Sequence, residues 1–193
     1  MVQIDAADAS RLTTGVMSLE TMEPIEAYAR YKCGKLSSDS IVSLANSWLD
    51  AGIYAPSLGD LFNIPSPSMS EVGPLFESVM DELNIEKLSR VDSAKLIIKN
   101  TLSGIVEGQI DPVEGASFLY WDIHQELTEE MPDKEYLGDN LGLEHVFCWL
   151  REIWDCGDGS MILYYADLPR PKAEAKFHEH LVEESAKLLT KLT

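Results

Sequence analysis

Residues 111–129 read DPVEGASFLYWDIHQELTE, and this stretch decides what kind of chain this is. Asp111 is suited to accept from the free amides that open a helix. Pro112 fits the first helical position, where no amide partner is lost, and Glu114 is spaced to reach back to the N–H of Asp111. Behind that start, Val113, Ala116, Leu119, Tyr120, Ile123 and Leu127 recur at close to the helical period. The spacing predicts a helix from Pro112 to about Glu129 with those side chains buried.

The same period continues in both directions. Towards the N-terminus it predicts helices over about Glu23–Cys33, over Ser38 to near Gly52 with Ser38 as cap, over Glu71–Leu83 and over Val91–Glu107. Between the second and third of these, Tyr54 to Ser70 holds Pro56, Pro65, Pro67, Gly59 and four serines, and reads as loop with one helical turn around Leu58–Phe62. Towards the C-terminus, Met131-Pro132-Asp133 breaks the pattern. Helices are then expected over about Asn140–Cys156 and Lys172–Lys191. Met161 to Ala166 is rich in β-formers but has no evident mate.

The expected fold is all-α: an irregular bundle of about seven to eight helices with at most one short strand. A length of 193 residues suffices for a core without disulfide or metal support. Residues 21–193 read as a single helical domain and residues 1–20, with weak periodicity, as a flexible arm. The Pro- and Ser-rich segment 54–70 is the one plausible weak boundary.

Charge bounds the partners. The formal net charge is −18, and the 37 residues from Asp122 to Asp158 carry eleven carboxylates against Lys134 and Arg151. Such a surface repels nucleic acid and anionic membrane and attracts basic proteins. Of the fifteen basic residues, seven lie in two sparse groups, Arg30, Lys32 and Lys35, then Lys87, Arg90, Lys95 and Lys99, too thinly spread for phosphate contacts. The N-terminus lacks a basic n-region and an apolar h-region, and no run approaches the roughly 18 apolar residues of a membrane span. Cys33, Cys148 and Cys156 form no CxxC, and their odd number fits a reducing compartment. The expected location is the cytoplasm.

Catalytic and cofactor signatures are sparse. Neither HExxH nor ExxH occurs, MPDKEYLGDNLGLE departs from a calcium loop, and the glycine cradles for nucleotides are missing. No metal and no cofactor are expected. Cys148 lies in acidic surroundings, which do not activate a thiol. His178 and His180 diverge on a helix. Glu174–His178 and His180–Glu184 are spaced as surface pairs. His124, near Asp122 and other carboxylates, is the one group that could serve general acid–base chemistry.

The aromatic residues offer a second kind of signal. On a wheel of about 100° per residue, Trp121 points roughly 145° from its helix's apolar direction. Trp149 lies roughly 120° from the Leu150–Trp154 direction and only about 40° beyond Ile153. Aromatics off the core stripe and rimmed by carboxylates resemble interface anchors.

Residues 43–85, SLANSWLDAGIYAPSLGDLFNIPSPSMSEVGPLFESVMDELNI, and 108–127, GQIDPVEGASFLYWDIHQEL, resemble a pattern found in small uncharacterised bacterial helical proteins. Its marks are Trp-Leu, Pro-Ser-Leu and Glu-Val, then an Asp-Pro-x-Glu-Gly-Ala helix start. The resemblance covers about a third of the chain and implies a bacterial, helical, cytosolic protein, with no activity attached.

The leading functional expectation is an acidic protein-binding module. Its most concrete form is an immunity or inhibitor protein that neutralises a basic partner such as a nuclease toxin. Trp121 and Trp149 would anchor the contact, and Glu129, Glu130, Asp133 and Glu135 would steer it. The alternatives are a small enzyme using His124 with Asp122 or another carboxylate, and a structural homodimer packed through Trp149.

Overall fold

A computed structural model describes residues 22–192, so the expected arm at 1–20 lies outside the described residues. Among the described residues the chain is helical throughout: eight helices and no strand. It forms two compact units, and the division falls between Ile97 and Ile98.

The first unit contains α1 (Pro24–Lys32), α2 (Ser38–Asp50), α3 (Pro56–Phe62) and α4 (Met69–Glu82). Prolines open α1 and α3 at positions where a missing amide costs nothing. Ser37, not Ser38, caps α2: its backbone is still extended, and its Oγ accepts from the Ser40 amide at 3.1 Å. The start of α4 is two residues earlier than the periodicity predicts, which leaves Pro74 in the helix interior.

Ile41, Leu44 and Trp48 of α2, Leu58 and Leu61 of α3, and Val72, Phe76 and Val79 of α4 belong to one buried cluster with Tyr28. The Pro- and Ser-rich segment 54–70 thus contributes core residues to this unit, while the division of the chain lies in α5 (Arg90–Val106). Trp48 meets its polar obligation by donating from Nε1 to the Met22 carbonyl at 2.8 Å. Burial, then the Glu77 carboxylate that accepts from its hydroxyl, pushes Tyr28 up to about 12.

The second unit takes the rest of α5, then α6 (112–127), α7 (Glu144–Asp158) and α8 (Arg170–Leu192). Asp111 caps α6 through Oδ1, which accepts from the Val113 and Glu114 amides at 2.9 and 3.0 Å. Helices α7 and α8 pack against each other along much of their length, and α6 touches both. Gly115 lets α6 approach α5, since a Cβ there would stand 2.8 Å from the Ile105 side chain.

Helices α6 and α7 differ from the sequence reading, whereas Met161–Ala166 is the unpaired crossing it suggests. Helix α6 is not uniform: Leu119–His124 forms a π-helical turn between α-helical Pro112–Phe118 and Gln125–Leu127. Helix α7 starts at Glu144 rather than near Asn140, because Gly138 and Gly142 hold φ of +82° and +75°, outside the helical region. Met161–Ala166 pairs with no strand and crosses from α7 to α8 as irregular chain. Among the described residues no helix is long and apolar enough to cross a membrane.

Candidate functional site

The second unit carries the residues of interest, on α6, on the acidic loop that follows it, and on α7 and α8. Trp121 lies within the π turn of α6 and is 58% exposed. Its ring is not loose. It stacks on Trp154 of α7 at 5.9 Å between centroids and meets the edge of Tyr120 at 4.5 Å. Tyr120 in turn touches Phe147 and Trp154 edge-on. Aromatic contacts of this kind fix a ring while leaving one side for water or a partner.

His124 points the other way. It is completely buried, edge-on to Phe147 at 5.4 Å, and its Nε2 lies 2.9 Å from Asp133 Oδ1. The same carboxylate oxygen accepts from the Gly138 amide at 2.9 Å. His124 Nδ1 is buried and has no hydrogen-bond partner among the described residues. With Nε2–H donating to the carboxylate, Nδ1 is left as a lone-pair acceptor, which costs less to strand than a donor would. The sequence pairs His124 with Asp122, whereas the structure pairs it with Asp133. The arrangement ties α6 to its following loop, and no imidazole atom is open to a substrate.

The loop is held by its own carboxylates. Asp139 accepts from the amides of Lys134, Glu135 and Tyr136 at 2.8, 2.8 and 3.0 Å. Those three amides hold its carboxyl down at about 2. Asn140 Nδ2 donates to the Met131 carbonyl. A depressed folded pKa contributes stability that is present above the ordinary carboxylate value and is lost as pH falls from about 4 towards 2. Acid titration should therefore loosen this loop across that window. The Asp139→Asn variant should show a flatter acid limb in unfolding experiments between those values. An identical limb in both proteins would show that the three amides do not depress this carboxyl.

Of the other predicted contact residues, Glu129, Glu130 and Glu135 are exposed. Asp133 is half-buried and committed to His124 and Gly138, so it cannot turn freely to solvent. Trp149 is half-buried within its own unit. It stacks on His180 at 4.5 Å and on Phe177 at 6.0 Å, and it meets Tyr164 at 5.1 Å. The structure thus separates the two tryptophans: Trp121 projects and Trp149 supports. Little of Trp149 remains for a symmetry mate.

Around Trp149 lies a group the sequence reading missed. The Tyr165 hydroxyl and His180 Nε2 are 2.7 Å apart, and His180 Nδ1 lies 3.1 Å from Glu183, not from the expected Glu184. Glu184 instead accepts from Lys187 at 2.8 Å. Buried Glu152 accepts from the amides of Leu163 and Tyr164 at 2.9 and 3.3 Å. Arg170 donates to the carbonyls of Asp155, Cys156, Gly159 and Ser160, closing the end of α7. Burial, then the Glu152 charge, raises the Cys148 thiol against the opposing pull of Arg151, so this cysteine is not poised as a nucleophile.

Among the described residues, no group of three or more His, Cys, Asp or Glu side chains is placed to hold a metal ion. No family model, curated protein or solved structure matches this chain.

Proposed function

We propose that the chain is an acidic protein-binding module, most concretely an immunity or inhibitor protein that neutralises a basic partner such as a nuclease toxin. The observation that carries this reading is Trp121. An exposed indole costs solvation, yet this one is braced by Trp154 and Tyr120 rather than folded away. Asp122 and Glu126 share its helix, Glu129 and Glu130 follow, and all of them favour a cationic surface. A rigid aromatic within a field of one sign is the pairing that binding interfaces use: area from the ring, on-rate from the charge.

The enzyme alternative loses its central group, because His124 is buried and engaged by Asp133. The homodimer alternative loses its anchor, because Trp149 is stacked within its own unit.

The test is retention on the immobilised chain. A basic protein should bind at low salt and elute as ionic strength rises. Trp121→Ala should weaken that protein's affinity by about 2 kcal/mol, roughly 30-fold. Failure to retain any basic protein at any salt concentration, or equal affinity for the Trp121→Ala variant, would end this reading.

A further inference from the structure

The crossing between α7 and α8 combines two properties that rarely coincide. Its outward side chains are apolar: Met161 is 79% exposed, Leu163 72% and Tyr164 48%. Ile162 between them is buried, so the chain turns one anchor inward and leaves three large side chains standing in water.

The backbone that carries them is fixed from both ends. Glu152, itself buried, holds the Leu163 and Tyr164 amides from below. Arg170 gathers the carbonyls of Gly159 and Ser160 just before the ridge. Tyr165, just after it, adopts a φ of +53°, a conformation a tyrosine keeps only when its surroundings impose it. Its hydroxyl is hydrogen-bonded with His180, and its ring lies parallel to the imidazole at 5°. Trp149 lies beneath Tyr164 and beside His180.

A loop that merely connects two helices needs none of this. Immobilising exposed apolar side chains before contact lowers the ordering cost of association. Contiguous exposed apolar residues on such a base are the usual mark of an interaction site.

The charges around the ridge select its occupant. From Glu152 to Pro169 there are four carboxylates, of which Glu152 is buried against the Leu163 and Tyr164 amides, and the cation beside the ridge, Arg170, is engaged by the carbonyls of Gly159 and Ser160. Asp158 and Asp167 are exposed on either side. A second copy of this chain would bring the same carboxylates face to face, on a molecule of net charge −18. The geometry points to a docking ridge at Met161, Leu163 and Tyr164 for an apolar segment flanked by lysine or arginine on a partner protein. This deepens the binding-module reading and rests on its basic partner, adding on the ridge a second apolar contact besides that of Trp121.

The probes are two synthetic amphipathic peptides, one of lysine and leucine and one of lysine and serine, titrated into the full chain while amide resonances are followed. The lysine–leucine peptide should bind about tenfold more tightly than the lysine–serine peptide and shift the Leu163 and Tyr164 amides. A Met161→Ser/Leu163→Ser double variant, checked for native helix content by circular dichroism, should lose that advantage. Trp121→Ala should keep it. Equal affinity of the two peptides, or an advantage that survives the double variant, would overturn the ridge and leave the binding-module reading standing. Absence of binding by both peptides would remove the basic-partner reading and the ridge with it. A doubled molar mass in solution that the double variant abolishes would assign the ridge to a second copy and overturn the proposal.

Discussion

Replacing Gly138 by alanine should destabilise the second unit by about 2–4 kcal/mol. Two costs add. The residue sits at φ +82°, where a Cβ costs about 1 kcal/mol relative to glycine. The added methyl would also stand 2.6 Å from a Phe147 ring carbon and 3.2 Å from Leu143 Cβ. Neither neighbour is the far end of a flexible chain, and forced overpacking of this kind typically costs about 1–3 kcal/mol. Gly138 also donates to Asp133, so its displacement reaches the His124 pair. Urea unfolding followed by tryptophan fluorescence would measure the loss. Gly157→Ala is the control, because a Cβ there meets nothing within 4 Å and its φ is not positive. It should be neutral or stabilising by about 0.5–1 kcal/mol. Equal midpoints for the two variants would refute the packing described for the acidic loop.

Glu152→Ala should cost about 2–4 kcal/mol and release the ridge. Removing the carboxylate leaves the Leu163 and Tyr164 amides without their acceptor, at about 1–3 kcal/mol for each stranded donor that water does not reach. Glu152→Gln keeps one accepting oxygen of similar size, so it should lose less than half as much. Hydrogen exchange at the Leu163 and Tyr164 amides separates local from global effects. In the alanine variant these amides should exchange much faster, while those in the middle of α8 change only with overall stability. Unchanged exchange would show that Glu152 does not hold the crossing.

The helices were largely legible because their signals are local. Asp111-Pro112 and Pro24 mark starts whose mechanics involve residues at most three apart, and the apolar period marks the buried side without knowledge of what covers it. The site was less legible because its contacts are not local. His124 meets Asp133, Glu152 meets Leu163, and Arg170 reaches back to Asp155. Nothing in the spacing of nine, eleven or fifteen residues across a loop announces a hydrogen bond. Trp149 shows the same limit: its wheel position follows from α7 alone, but its cover comes from Tyr164 and from Phe177 and His180 of α8. The bounds of α7 differ from the periodicity for a reason visible only in backbone angles, since Gly138 and Gly142 are ordinary letters until their φ is known.

A π turn holds about one residue more than an α turn, so with Leu119–His124 in that form α6 behaves as an ordinary helix into which a single residue has been spliced. Leu119 opens the π turn, Ile123 lies within it and Leu127 after it, and all three are buried. The surplus is absorbed around Trp121, which bulges outward while His124 stays locked inside. Excising one residue from this turn would restore a regular helix and swing everything beyond it through about 100°. The projecting indole and the buried imidazole are therefore not two separate choices. They are the two sides of one added residue.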